Sequence, residues 1–301
     1  MMEIVILILL IGIGFVVQYI LKAINKTQLL ELVVKHLVNV TYYVLIPLSF
    51  VKTYGEKGVT MDDLGVLITF VIYLILLFSM NTLIQRIMAI NDKALSNAIL
   101  ITGAFPNSIF LGFPVSMLFF NDIKIASTLG LVTLLLNIII PDMMAIGKTS
   151  LIKIFTLPAL IGFMIGIVIH YGFGDIVDVI STIMYWVPLT TSYLATSVLG
   201  MRLSIKSITF KKFFKSMLVV SVYRFILAPL IAMTISMSMG MNWTSTLQLV
   251  LIMSMPPAVM NTIIAQKYRW NPEMVATITF ILTIVFIPMI LSIYTISLAL
   301  H

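Results

Sequence analysis

Cysteine is absent from the 301 residues, histidine occurs three times, and only 10% of the chain is charged. Without cysteine there is no disulfide framework, no thiol nucleophile and no Cys-ligated metal. The three histidines, His36, His170 and His301, fall near the ends of apolar runs. They offer neither a His-Glu-x-x-His zinc motif nor a Ser–His pair within one site. No two acidic residues fall together in the middle of an apolar run, and no Asp-rich prenyl-transfer motif occurs. An enzyme is therefore disfavoured, and no cofactor or metal is implied. The shortage of charge excludes more. A soluble domain carries about a quarter charged residues, and a chain that is 61% hydrophobic, with mean hydropathy +1.15, has too few to solvate a water-exposed surface. The medium is lipid.

What is present are ten apolar segments, each near the roughly 20 residues that cross a bilayer as a helix. They run over 4–21, 37–52, 64–84, 97–120, 123–145, 155–171, 177–199, 214–238, 246–266 and 274–299. The apolar N-terminus has no basic leader and reads as the first span rather than a cleaved signal. The net charge of +7 suggests no nucleic-acid partner, because the cations sit in short loops. With the N-terminus outside, fourteen of them fall on the inner side. Lys52, Lys57 and Lys124 fall outside, and Arg224 lies within the eighth span. That asymmetry is the positive-inside pattern. It predicts a multi-pass protein of the cytoplasmic membrane with both termini outside.

The two halves resemble each other. Ile46-Pro47-Leu48 answers Val187-Pro188-Leu189, and Val71-Ile72-Tyr73 answers Ser221-Val222-Tyr223. Phe105-Pro106 answers Met255-Pro256, and Ile140-Pro141 answers Ile287-Pro288. The offsets are 141, 150, 150 and 147 residues, each pair falling in corresponding spans. A repeat of five helices is odd, so the second copy enters the membrane inverted, as in many secondary transporters. The fold expected is all-α and polytopic, with ten transmembrane helices in two inverted five-helix repeats over residues 1–147 and 148–301. Helices four and nine are expected to be broken and crossing.

The breaks locate the candidate site. Span four carries Gly103, Pro106, Asn107, Ser108, Gly112 and Pro114, and its prolines and glycines remove donors and loosen the helix. Span nine carries Pro256, Pro257, Asn261 and Thr262 in a matching design, a proline break followed by an amide. Open half-helix N-termini offer N–H groups and a positive dipole end, suited to a carboxylate. The candidate substrate-binding set is Asn107, Ser108, Gly112, Pro114, Asn137, Arg224, Pro257, Asn261 and Thr262. The plainer alternative is a pair of kinked structural helices whose asparagines cap freed backbone. Arg224 likewise reads two ways, as an attractor of anions or as a cap for backbone carbonyls. Asp142, beside Pro141, reads as interfacial, and Lys52 as an anchor at the outer end of span two.

Phe105-Pro-Asn-Ser-Ile-Phe-Leu-Gly-Phe-Pro114 resembles the fourth-helix motif of the auxin efflux carrier family, which includes plant auxin exporters and prokaryotic carboxylate carriers. Met255-Pro-Pro-Ala-Val-Met-Asn-Thr262 through Tyr268 resembles its ninth helix, Tyr223-Arg224 to Pro229 its eighth, and Val44 to Phe50 its second. The resemblance implies a scaffold domain, a transport domain, an elevator-like movement and a carboxylate held where the broken helices cross. It sets Pro114 on the first crossover proline and Asn107 on the substrate-facing asparagine. Asn261 stands where plant exporters have a proline, Leu157 precedes Pro158 where they have an asparagine, and Lys148 to Lys153 is a short connector in place of their long hydrophilic loop. Auxin itself is thus a poor candidate. The reading is a secondary transporter of small organic anions, driven by membrane potential or H+. Sodium coupling, a channel or sensor on the same fold, and a homodimer remain open alternatives.

Overall fold

A computed structural model describes residues 2–87, 92–202 and 210–299. Lys206, one of the fourteen inner cations, and His301 lie outside them. Among the described residues every element is helical, and the sole strand-like feature is an isolated bridge between Pro106 and Pro257.

The chain opens with α1 (Met2–Ala23) and α2 (Thr27–Val40), which passes through one wide π turn at Thr41–Leu45 into α3 (Ile46–Lys57). Then come α4 (Met61–Ile87), α5 (Lys93–Ala104), α6 (Gly112–Phe120), α7 (Lys124–Ile146) and the short α8 (Leu151–Phe155). The second half holds α9 (Pro158–Gly172), α10 (Gly174–Ile183), α11 (Val187–Arg202) and α12 (Phe210–Val222). A second π turn at Tyr223–Leu227 leads into α13 (Ala228–Ser238), followed by α14 (Trp243–Met253), α15 (Met260–Tyr268) and α16 (Pro272–Ala299). Among the described residues five helices are long and apolar enough to cross a membrane: Thr27–Lys57, Met61–Ile87, Lys124–Ile146, Lys212–Ser238 and Pro272–Ile290. Leu9–Ala23, Pro158–Gly172 and Trp243–Met253 are shorter apolar helices.

Proline explains most departures from the expected spans. The second span, expected over 37–52, belongs to one continuous helix of 31 residues. Its π turn ends where the Ile46 N–H bonds the Thr41 carbonyl, one residue ahead of Pro47. The second π turn ends with the Ala228 N–H on Tyr223, one residue ahead of Pro229. A proline ring clashes with the carbonyl four residues back and cannot bond it, so widening the preceding turn keeps the helix running. The seventh span is not continuous as expected. It stops at Ile183 and restarts at Val187, because Pro188 has no N–H for the Met184 carbonyl, which accepts from Val187 instead.

Two compact units result. The first comprises Met1–Met61, Ile109–Leu131 and Ser150–Ser204, and the second Asp62–Ser108, Val132–Thr149 and Ile205–His301. Each unit draws on both halves of the chain. In the first, α3 and α9 approach closely because Gly162 lies against the Pro47 backbone, where a Cβ would strike the carbonyl. Small residues permit such contact in lipid, where apolar burial alone does not drive helices together. In the second, Phe70, Tyr73, Leu77, Phe105, Tyr223 and Phe286 are fully buried, and Gly103 makes room for the Tyr223 ring.

Candidate functional site: two broken helices bridged through their prolines

Span four breaks where expected. Pro106 has no N–H for the Thr102 carbonyl, and the residue before a proline is pushed out of the helical region. Phe105 is accordingly extended, at φ −105° and ψ 110°, and ends α5. Span nine breaks over residues 254–259, where Pro256 and Pro257 deny donors to Ile252 and Met253. The two breaks pair with each other inside the second unit. The Asn107 N–H donates to the Pro256 carbonyl at 2.9 Å and the Ala258 N–H to Phe105 at 3.0 Å. Backbone left unpaired by the prolines is thereby satisfied in a two-bond antiparallel bridge.

Side chains from three elements meet there. The Asn261 amide donates to the Phe105 carbonyl at 3.1 Å. The Asn137 amide donates to Asn261 Oδ1 at 3.4 Å, and Ser108 shares a hydrogen bond with Thr133 at 2.9 Å. Thr133 and Asn137 are one helical turn apart on α7, so one face supplies both. Asn107, Ser108, Asn137 and Asn261 are all buried. Pro257 is buried beside them, while Thr262 is half-buried in the first turn of α15 with its N–H on the Val259 carbonyl. Two buried polar atoms of this group have no partner: the Asn107 side-chain nitrogen and Asn137 Oδ1. No Asp, Glu, His, Lys or Arg occurs in 105–108, 132–137 or 256–262.

Arg224 bonds backbone carbonyls within the second unit. It is 0% exposed. Its Nε donates to the Met255 carbonyl at 2.9 Å, and one terminal nitrogen to the Gly103 carbonyl at 3.2 Å and the Tyr73 hydroxyl at 3.3 Å. The other terminal nitrogen donates to the Met253 carbonyl. Tyr73 in turn donates to Gly103 at 2.6 Å and lies 3.4 Å from the carbonyl of Tyr223, its counterpart in the other half. The guanidinium is held by three backbone carbonyls and the Tyr73 hydroxyl.

Gly112 and Pro114 belong to the first unit, where they open α6. Pro114 lines a cavity of about 290 Å³ with Lys52, Glu56, Tyr185, Trp186 and Tyr193. Lys52, at the end of the second span, is ion-paired with Glu56 at 2.7 Å on the next turn of α3. Lys57 pairs with Asp122 at 2.8 Å on the same rim. Asp142, expected at the interface, is buried within the protein at 2% exposure. Lys267 at 3.0 Å and the Tyr268 hydroxyl, both from the end of α15, cover its carboxylate.

Sequence reasoning missed Thr133, Tyr73 and the Lys52–Glu56 pair. For Thr133 the signal was its place four residues before Asn137, and for Tyr73 its alignment with Tyr223. The opposite charges at i and i+4 marked the third.

Residues 139–295 match the family described as membrane transport protein. An uncharacterized transporter of Methanocaldococcus jannaschii is 28% identical over 264 residues, which is 83% of this chain and 85% of that one. The helices long enough for a bilayer, the proline-broken pair and this match agree, and the chain belongs to the membrane transport protein family, that of the auxin efflux carriers.

Proposed function

We propose that this multi-pass membrane protein is a secondary transporter of small organic anions, carboxylates above all, working by elevator-like alternating access. The observation that carries the reading is the Asn107 amide: a buried N–H donor without an acceptor, at the bridge between two broken helices. An unsatisfied buried donor costs about 1–3 kcal/mol, and a carboxylate oxygen would satisfy it. Ser108, Asn137, Pro257, Asn261 and Thr262 surround or shape the same place, and the start of α15 adds the positive end of a helix dipole. Arg224 acts behind them, and Gly112 and Pro114 set the start of α6.

The topology proposed is ten spans in the cytoplasmic membrane with both termini outside, as inverted repeats over 1–147 and 148–301. In support, segments from the two halves meet within the second unit, where Tyr73 meets its counterpart Tyr223 and the broken spans four and nine bridge at Pro106 and Pro257. The unpartnered Asn137 Oδ1 favours one second reading, sodium-coupled symport, since a cation needs oxygen acceptors. A channel or sensor is the remaining rival.

The test is a thermal-shift screen of small mono- and dicarboxylates on purified protein, with and without sodium, followed by counterflow in vesicles. A carboxylate should stabilise the protein where neutral sugars and cationic amines do not, and labelled substrate should exchange faster against unlabelled. Stabilisation only with sodium present selects symport. Flux without trans-acceleration selects a channel, and no stabilising carboxylate removes the anion reading.

A further inference from the structure

The carbonyls that Arg224 reaches have one thing in common. Gly103 is in the last turn of α5, Met253 is the last residue of α14, and Met255 follows two residues later. The last carbonyls of a helix lack intrahelical donors. Here proline makes the lack absolute, since Pro257 is the residue whose N–H would have served Met253. The Asn107 N–H, which would have served Gly103, is spent on Pro256. Each helix end also carries about half a negative elementary charge. Both α5 and α14 run straight into the bridged segments, so two negative ends adjoin the place where the Asn107 amide waits.

Such a field opposes an anion. The single guanidinium bears one full positive charge, about the sum of two helix ends, and it is always ionised. Its rigid fork reaches both helices at once, which a lysine ammonium does not match. We propose that Arg224 is a charge-selecting positioning residue: by cancelling the C-terminal ends of α5 and α14 it leaves the α15 N-terminus and the Asn107 amide as the uncompensated polarity of the crossing. Anions are then favoured over neutral molecules of the same shape without any cation touching them. This inference rests on the reading that the crossing holds a carboxylate.

The experiment compares matched acids and amides, benzoate with benzamide and succinate with succinamide, on purified full-length protein. The ratio of their affinities is the readout, with melting temperature measured alongside. The wild type should prefer an acid. Arg224→Gln should lower the acid-over-amide ratio at least tenfold, whereas Arg224→Lys should keep most of it while melting lower. A merely structural arginine would weaken acid and amide alike, so an unchanged ratio in folded Arg224→Gln overturns the inference. Should Arg224→Gln not fold, a collapsed ratio in folded Arg224→Lys overturns it instead. A wild type indifferent to acid and amide removes the anion reading first, and this inference with it.

Discussion

Replacing Asn107 by alanine separates a ligand-binding amide from a structural cap, because the two asparagines of the crossing are built differently. Asn261 uses its amide twice, donating to Phe105 at 3.1 Å and accepting from Asn137 at 3.4 Å. Asn107 is tied only through its backbone N–H, which alanine keeps, and its side-chain nitrogen has no partner. Asn107→Ala therefore removes no side-chain hydrogen bond and relieves an unpaired donor whose burial costs about 1–3 kcal/mol. The small cavity left behind offsets part of that gain. The melting temperature should stay level or rise. Affinity should move the other way. A hydrogen bond to a charged acceptor contributes about 1.5–3 kcal/mol, or roughly 10- to 150-fold at 1.4 kcal/mol per decade. Asn261→Ala, by contrast, loses both bonds, leaving the Asn137 amide without its acceptor and the Phe105 carbonyl with the Ala258 N–H alone, so it should lower both stability and affinity. The matching designs of spans four and nine suggest equal roles for the two residues, and the hydrogen bonds of Asn261 remove that symmetry. Calorimetric titration of a stabilising carboxylate and a melting curve on each variant decide the matter. Unchanged affinity with a lowered melting temperature in Asn107→Ala would refute the site.

Four further outcomes follow from the geometry. Gly162→Ala should destabilise the protein by about 1–3 kcal/mol, as overpacking does, because the added carbon meets the Pro47 backbone rather than a movable side chain; a wild-type melting curve would show that α3 and α9 do not pack as described. Breaking one side of the part-buried Lys52–Glu56 pair should cost no more than about 1 kcal/mol, and a double-mutant cycle measures the coupling. Carboxylate affinity should follow the ligand's own ionisation and be flat from pH 6 to 9, since no titratable side chain occurs in the segments that form the crossing; a protein-derived inflection in that range would show that the substrate binds elsewhere. Reporter fusions after Lys57 should be external and after Lys212 internal, and the reverse would overturn the charge-based orientation.

The parts of this protein that were readable in its sequence are those that proline and charge dictate locally. A missing N–H acts on the carbonyl four residues back whatever surrounds it, so the breaks at Pro106 and Pro256 could be placed from the sequence. The same rule shaped the π turns ahead of Pro47 and Pro229, but it left two outcomes open, a break or a widened turn. Which one forms depends on whether a partner accepts the freed groups. At Pro106 the other broken helix does so. At Pro47 the chain closes the gap itself, through the Ile46–Thr41 bond. Burial was less legible for the same reason. Asp142 lies near a span end in sequence, yet it is buried under Lys267 and Tyr268, partners that sequence distance hides, whereas the half-buried Lys52 takes Glu56, a partner that the i+4 spacing hints at. Arg224 is the sharpest instance. An arginine in an apolar span invites a search for its counter-ion, and none is needed, because two helix ends together supply about the charge that one guanidinium lacks. The polarity of the crossing is thus a property of backbone direction, which no residue type announces, and it becomes visible only once the helices that end there are known.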